Sequence, residues 1–184
     1  MRKLLITAGL AVLGLGSQTA HAASTVFGGG MAEACSRAAI RGEVSASYER
    51  ICTQSLQTEF LETRDRAGTF VNRGVLRLRR ARFDEATRDF NDAVRLTPEL
   101  GEAYVNRGAA SVGRHQFAEA VVDINRALEL GVDEPAKAYY NRALAHEGLD
   151  NLKAAYFDYQ KALELSPDWE APKKELARFS VARP

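Results

Sequence analysis

Three copies of one short pattern hold the residues of this chain best suited to recognition chemistry: "TFVNRG" (69–74), "AYVNRG" (103–108) and "AYYNRA" (138–143). Each places an Asn and an Arg, side by side, just after an aromatic residue. A carboxamide offers both an acceptor and donors, so Asn72, Asn106 and Asn141 match the C=O and N–H of an extended peptide. Such a grip holds backbone and demands no particular side-chain sequence. The same Asn could instead bond a neighbouring helix. The arginines carry a second regularity: Arg73, Arg107 and Arg142 are each followed, 16 residues on, by Asp89, Asp123 and Asp158. A separation kept three times points to an ion pair within each copy, and deleting one partner of a buried pair costs about 3–5 kcal/mol. The planar fork of Arg also suits a ligand carboxylate.

These residues need elements to position them. Gly74 and Gly108 are 34 residues apart, and Gly108 and Ala143 are 35 apart. The following stretches recur in step: Ala86, Phe90 and Ala93, then Ala120, Ile124 and Ala127, then Ala155, Tyr159 and Ala162. Steps of three and four mark one face of a helix. Each unit reads as helix, short turn, helix. First helices are expected at 67–80, 101–114 and 136–149, and second helices at 83–96, 117–130 and 152–165. Gly in a helix interior costs about 1 kcal/mol against Ala, so its recurrence signals close packing.

At this point the chain resembles the tetratricopeptide repeat (TPR) family, which has a 34-residue period, a small residue inside the first helix and an Ala–aromatic–Ala second helix. Pro98 and Pro167 stand where that family ends its second helix. The middle copy departs, with Val132 there and Pro135 following. Arg replaces the family's usual Leu before the small residue in all three copies. The resemblance implies an all-α, right-handed TPR solenoid with repeats at 67–100, 101–135 and 136–169. It also implies that the first helices line a concave surface, where the Asn row resembles the asparagine ladder of TPR superhelices. A peptide-binding groove would then be formed by Asn72, Asn106 and Asn141 with Val71, Val75, Val105, Ala109, Tyr140 and Leu144, although part of this apolar set is expected to pack between repeats. The TPR type that clamps acidic C-termini uses Lys and Asn at places held here by Val71, Val105, Tyr140, Val75, Ala109 and Leu144, so that clamp is not expected. After Trp169, "EAPKKELARF" (170–179) reads as an amphipathic capping helix within 170–184, with Leu176 and Phe179 covering the last repeat.

Ahead of the repeats, 31–66 reads as a degenerate helical hairpin with Cys35 on one helix and Cys52 on the other. The stretch 57–68 reads as an unusually long junction. In an exported chain the two cysteines are expected to form a disulfide, contributing roughly 3 kcal/mol through loop closure. Their spacing is not that of a C-x-x-C redox pair, and no His lies near enough for a metal site. Export is read from the start of the chain: a basic "MRK", an apolar run at 4–16, and Ala20-His21-Ala22 as a small-x-small cleavage site. Residues 1–22 are therefore expected to be a signal peptide of bacterial appearance, cut after Ala22, with 23–30 as a flexible linker. Loss of Arg2 and Lys3 leaves 23 basic against 24 acidic residues. A chain this near neutrality has no basic footprint for nucleic acid, and no membrane insertion is expected after cleavage.

No cofactor or metal is expected. His115 and His146 lie on different repeats, "GGG" (28–30) lacks a phosphate-binding Lys, and no triad or nucleophile-elbow motif occurs. Tyr139, Tyr140, Tyr156, Phe157 and Tyr159 fall at helical spacing and read mainly as core. The expectation is a non-catalytic protein-interaction module of the bacterial periplasm or cell envelope. It would bind a partner's peptide segment on its concave face. The alternative is a structural or assembly subunit docking through its outer surface or by self-association. Partner and oligomeric state are not legible in the sequence.

Overall fold

The computed structural model describes residues 5–8, 19–26 and 30–182. Much of the leader read at 1–22, namely 1–4 and 9–18, lies outside the described residues, as do 27–29 and 183–184. Recurrent apolar steps of three and four build helix pairs. The first pair is α1 (Gly30–Ile40) and α2 (Ala46–Thr58); three longer pairs follow. These are α3 (Thr63–Leu78) with α4 (Phe83–Leu96), α5 (Gly101–Gly113) with α6 (Phe117–Leu130), and α7 (Pro135–Gly148) with α8 (Leu152–Leu165). A short α9 (Glu170–Leu176) closes the stack. Strand β1 (Leu5–Ala8) pairs antiparallel with β2 (Phe179–Ala182). The second helices begin and end where the sequence spacing puts them. α3 starts four residues earlier than expected, so the long junction shrinks to a short link. Arg66 explains part of this: its guanidinium donates to the Leu56 carbonyl at the end of α2, fixing the first turn of α3 there.

Small residues set the spacing inside each pair. A Cβ at Gly74 would stand 2.4 Å from the Phe90 ring, and one at Gly108 would stand 2.6 Å from Ile124. Neither separation is tolerable, so the glycines admit the large residue of the second helix. The resulting seams are continuous apolar clusters. One joins Val71, Val75 and Phe90 to Ala103 and Ala109 of the next repeat. Along the stack, α3 packs on α5 and α5 on α7, while α4 and α6 each pack on the next first helix. Contact between successive first helices puts them on the inner side of the curve.

All three first helices of the repeats stop in the same way. Arg82 N–H donates to Arg77 C=O, Gln116 to Ser111 and Asn151 to His146, the six-to-one bond of a Schellman motif. The residue before each donor is left-handed: Ala81 (φ 55°), His115 (φ 59°) and Asp150 (φ 57°). None is the Gly that this conformation favours. Ala81→Gly is therefore expected to stabilise the fold by roughly 0.5–1 kcal/mol, read as a higher urea midpoint at unchanged slope.

The α1–α2 pair is joined by the Cys35–Cys52 disulfide, Cα–Cα 5.0 Å. Glu59 caps α1 by accepting from the N–H groups of Met31 and Ala32. The Ser55 hydroxyl, foremost, and these two N–H groups hold its carboxyl below the usual range. At the other end, α9 stops at Leu176, short of the expected 179. Phe179 instead packs on Tyr156 and Tyr159, and the chain leaves the helix to pair with β1. That pairing links opposite ends of the chain, so local periodicity could not announce it.

Candidate functional site

Asn and Arg are neighbours in sequence and so project about 100° apart around the first helix. The Arg points at the second helix. Arg107 holds Asp123 through Nε at 2.8 Å and Nη2 at 2.6 Å. Arg142 holds Asp158 at 2.7 Å through both nitrogens. Arg73 holds Asp89 through Nη2 at 2.6 Å. The third nitrogen reaches back to the preceding helix pair: Arg73 to Thr53, Arg107 to Asn91 and Arg142 to Asn125. Each guanidinium also lies over the aromatic of its own motif, Phe70, Tyr104 or Tyr139, at 5.1–5.4 Å. With its donors directed at protein partners in this way, the Arg serves as a rivet between helices and repeats.

The Asn points the other way, onto the inner wall, and what it meets there is main chain. Asn141 accepts from Ala20 N–H at 2.8 Å and donates to Ala20 C=O at 2.7 Å. Asn106 does the same to Ala22, at 3.1 and 2.5 Å. Asn72 does the same to Ser24, at 2.9 and 2.7 Å. Three carboxamides on three repeats thus take alternate residues of one extended strand, which runs from the third repeat to the first. One residue parity of such a strand shares one face. All three asparagines are fully buried beneath it, as are Ala22 and Val26. Asn106 also donates to the Glu102 carbonyl of its own helix, which fixes the amide plane. At the far end Ser36 of α1 donates to Ser24 C=O and accepts from Val26 N–H. The segment read as a linker is, in its described part 23–26, seated on the wall.

Val71, Val75, Val105, Ala109, Tyr140 and Leu144 are at most 2% exposed. Val71, Val75 and Ala109 belong to the first seam cluster, Val105 to the second, and Tyr140 and Leu144 to the third. Ala23 and Ala20 join the first and third of these clusters from the wall side. Tyr140 packs between Tyr159 and Trp169 with tilted rings, centroids 5.5 and 4.9 Å away. These residues therefore knit the seams beneath the strand, while the polar contacts to it come from the Asn row.

Two further cations influence the groove segment through their charge and carry no repeat signal in the sequence. Arg79, just past α3, and Lys137, on α7, both act electrostatically on His21. The Nη1 of Arg79 is buried with no hydrogen-bond partner. The equivalent places in the next repeats are Gly113 and Gly148, so Arg79 could not be found by periodicity. His21 itself is largely buried and reaches Thr19 Oγ1 at 3.1 Å. The other two histidines lie elsewhere: His115 in the α5–α6 turn, and His146 3.9 Å from Asp158.

The tetratricopeptide repeat family model matches residues 136–168. No curated protein sequence matches the chain significantly. Among solved structures, an Arabidopsis OM64 TPR domain is 25% identical, covering 64% of this chain and 96% of its own, with a TM-score of 0.60. The first TPR of Spaghetti (RPAP3), bound to the HSP90 peptide SRMEEVD, is 28% identical, covering 62% and 90%, with a TM-score of 0.58. MamA from Desulfovibrio magneticus RS-1 shares the fold, at 20% identity over 80% of this chain and 82% of that one, with a TM-score of 0.63. The family match covers the third repeat, and period and architecture extend the same tetratricopeptide-repeat solenoid fold over the two repeats before it.

Proposed function

We propose that this protein is a non-catalytic interaction module that holds an extended segment of a partner protein on its concave face, and that it works in a bacterial periplasm or cell envelope. The observation that carries the reading is the Asn row: three carboxamides, each closing a two-bond ring on the backbone of one residue, at two residues per repeat. This is a device for recognising strand conformation. The peptide-bound TPR of Spaghetti (RPAP3) supports the choice of a peptide as ligand. Export is supported by the basic start, the apolar run and Ala20-His21-Ala22.

Each Asn contributes two hydrogen bonds, together worth roughly 2 kcal/mol or about 30-fold in affinity. The Asn72→Ala/Asn106→Ala/Asn141→Ala protein is expected to lose partner capture in crosslinking pull-downs from the cell envelope, with its circular dichroism unchanged. Capture at the wild-type level would move recognition to the outer surface.

A further inference from the structure

We propose that the protein carries a second recognition surface, an arginine-lined groove between α2 and the α3–α4 turn that takes an acidic segment of a partner protein. This place lies apart from the Asn row. Asn72 and Arg73 project to different sides of α3, and the groove is on the Arg side, where Arg73 donates to Thr53 of α2. One face of α2 forms a wall, with Arg50, Thr53, Gln54 and Gln57 at helical spacing, and Arg80 and Arg82 form the other. The space between them measures about 640 Å³.

Charge in this groove is out of balance. Arg73, Arg77, Arg80 and Arg82 form one linked network with Glu49, Glu85 and Asp89. Glu49 is buried at its centre and takes Arg77 at 3.0 Å, Arg80 at 2.9 Å and Arg82 at 2.5 Å. The network therefore keeps one positive charge in excess. Arg50 adds another, for it is exposed and makes no ion pair among the described residues. Arg80 donates to Glu49 through Nη1 alone. Its Nε and Nη2 make no hydrogen bond among the described residues, and the side chain is 33% exposed. The scaffold does not need these cations. The places of Arg77, Arg80 and Arg82 are held by Ser111, Arg114 and Gln116 in the second repeat, and by His146, Leu149 and Asn151 in the third. The turn closes with the same backbone bond in all three.

Open guanidinium donors with surplus positive charge take an anion, and their planar fork suits a carboxylate. The surplus is too small for a nucleic-acid backbone, whose binding proteins make roughly six to ten phosphate contacts. The neutral part of the wall suits a peptide instead: the Gln54 and Gln57 carboxamides offer a donor and an acceptor to main chain. The 13 residues of α2 rise about 20 Å, the length of about six residues of extended chain. Alternate residues of such a chain share one face. Two acidic side chains, two residues apart, would thus meet Arg50 and Arg80 together.

The test titrates the full chain by NMR, at low ionic strength, with the peptides AEAEAA and AQAQAA. The glutamate peptide is expected to bind about tenfold more tightly and to shift the amides of α2 and of the α3–α4 turn. Arg50→Gln/Arg80→Gln should erase that preference with circular dichroism unchanged, since Arg77 and Arg82 still hold Glu49. Arg126→Gln, an equally exposed change on α6, should leave the preference in place. Equal affinity for the two peptides would overturn the proposal, as would a preference that survives in the Arg50→Gln/Arg80→Gln chain or one that Arg126→Gln also erases. The Asn72→Ala/Asn106→Ala/Asn141→Ala chain separates the two surfaces: it should bind the glutamate peptide as the unsubstituted chain does. Loss of binding there would put the acidic peptide on the concave wall, rejecting a second surface while leaving the Asn-row reading intact. Inorganic phosphate that displaces the peptide as readily as unlabelled AEAEAA does would assign the groove to small anions and overturn the peptide as its occupant.

Discussion

An Asp89→Ala chain is expected to lose about 3–5 kcal/mol of unfolding free energy, more than the same change at Asp123 or Asp158. The three aspartates occupy the same place in successive repeats but not the same surroundings. The Asp89 side chain is 2% exposed and holds two arginines, Arg73 through Nη2 at 2.6 Å and Arg77 through Nη1 at 2.7 Å. Asp123 and Asp158 each hold one, with side chains 13% and 10% exposed. Arg77 also bonds Glu49, which further binds Arg80 and Arg82. Deleting the Asp89 carboxylate thus strands Arg73 and unbalances the network that ties α2 to the first repeat. Asp89→Asn keeps an acceptor and should fall between alanine and wild type. Urea unfolding of the three alanine variants checks the ranking. Equal losses at all three sites would show that Arg77 adds nothing.

What could be read in the sequence and what could not divides along range and repetition. Arg and Asp are 16 residues apart on adjacent helices, so their relation survives in every copy and shows as a period. The helix pairs are legible for the same reason. Cys35 and Cys52 span one hairpin of similar length, and their disulfide closes it. The Asn row was legible as chemistry, because a carboxamide suits backbone, but its occupant was not. Residues 19–26 are mostly small and have no period, and they meet Asn141 across 121 positions of chain. Arg79 has no counterpart in its sister repeats. The left-handed Ala81, His115 and Asp150 were hidden because none is Gly. The strand at 179–182 depends on a partner near the opposite terminus. Local pattern thus reveals the scaffold, while long-range pairing decides what lies on its inner wall.

The disulfide links scaffold and wall. Removing it, as Cys35→Ala/Cys52→Ala, is expected to cost roughly 3 kcal/mol by loop closure, and the loss should be confined to one end of the molecule. The α1–α2 pair has little apolar substance of its own: Cys35, Ala38, Cys52 and Leu76 form its cluster, with Tyr48 beside them. Beyond that cluster, Ala39 of α1 joins the first seam, and the other ties to the repeats are chiefly polar: Glu49 with its three arginines and Arg66 on Leu56. The three repeats keep their own seams, so the hairpin should open first and unfolding should cease to be two-state. Ser36 is on α1 and holds Ser24 and Val26, so the effect should reach the groove from that side. The Ser24 and Val26 amides should exchange faster in the cysteine-free chain, while Ala20, held by Asn141 at the opposite end, should change least. A uniform rise in exchange along 20–26 would mean that the strand is seated as one cooperative unit. A graded rise would mean that each repeat holds its own two residues, and that the end anchored by the disulfide can be freed without releasing the rest.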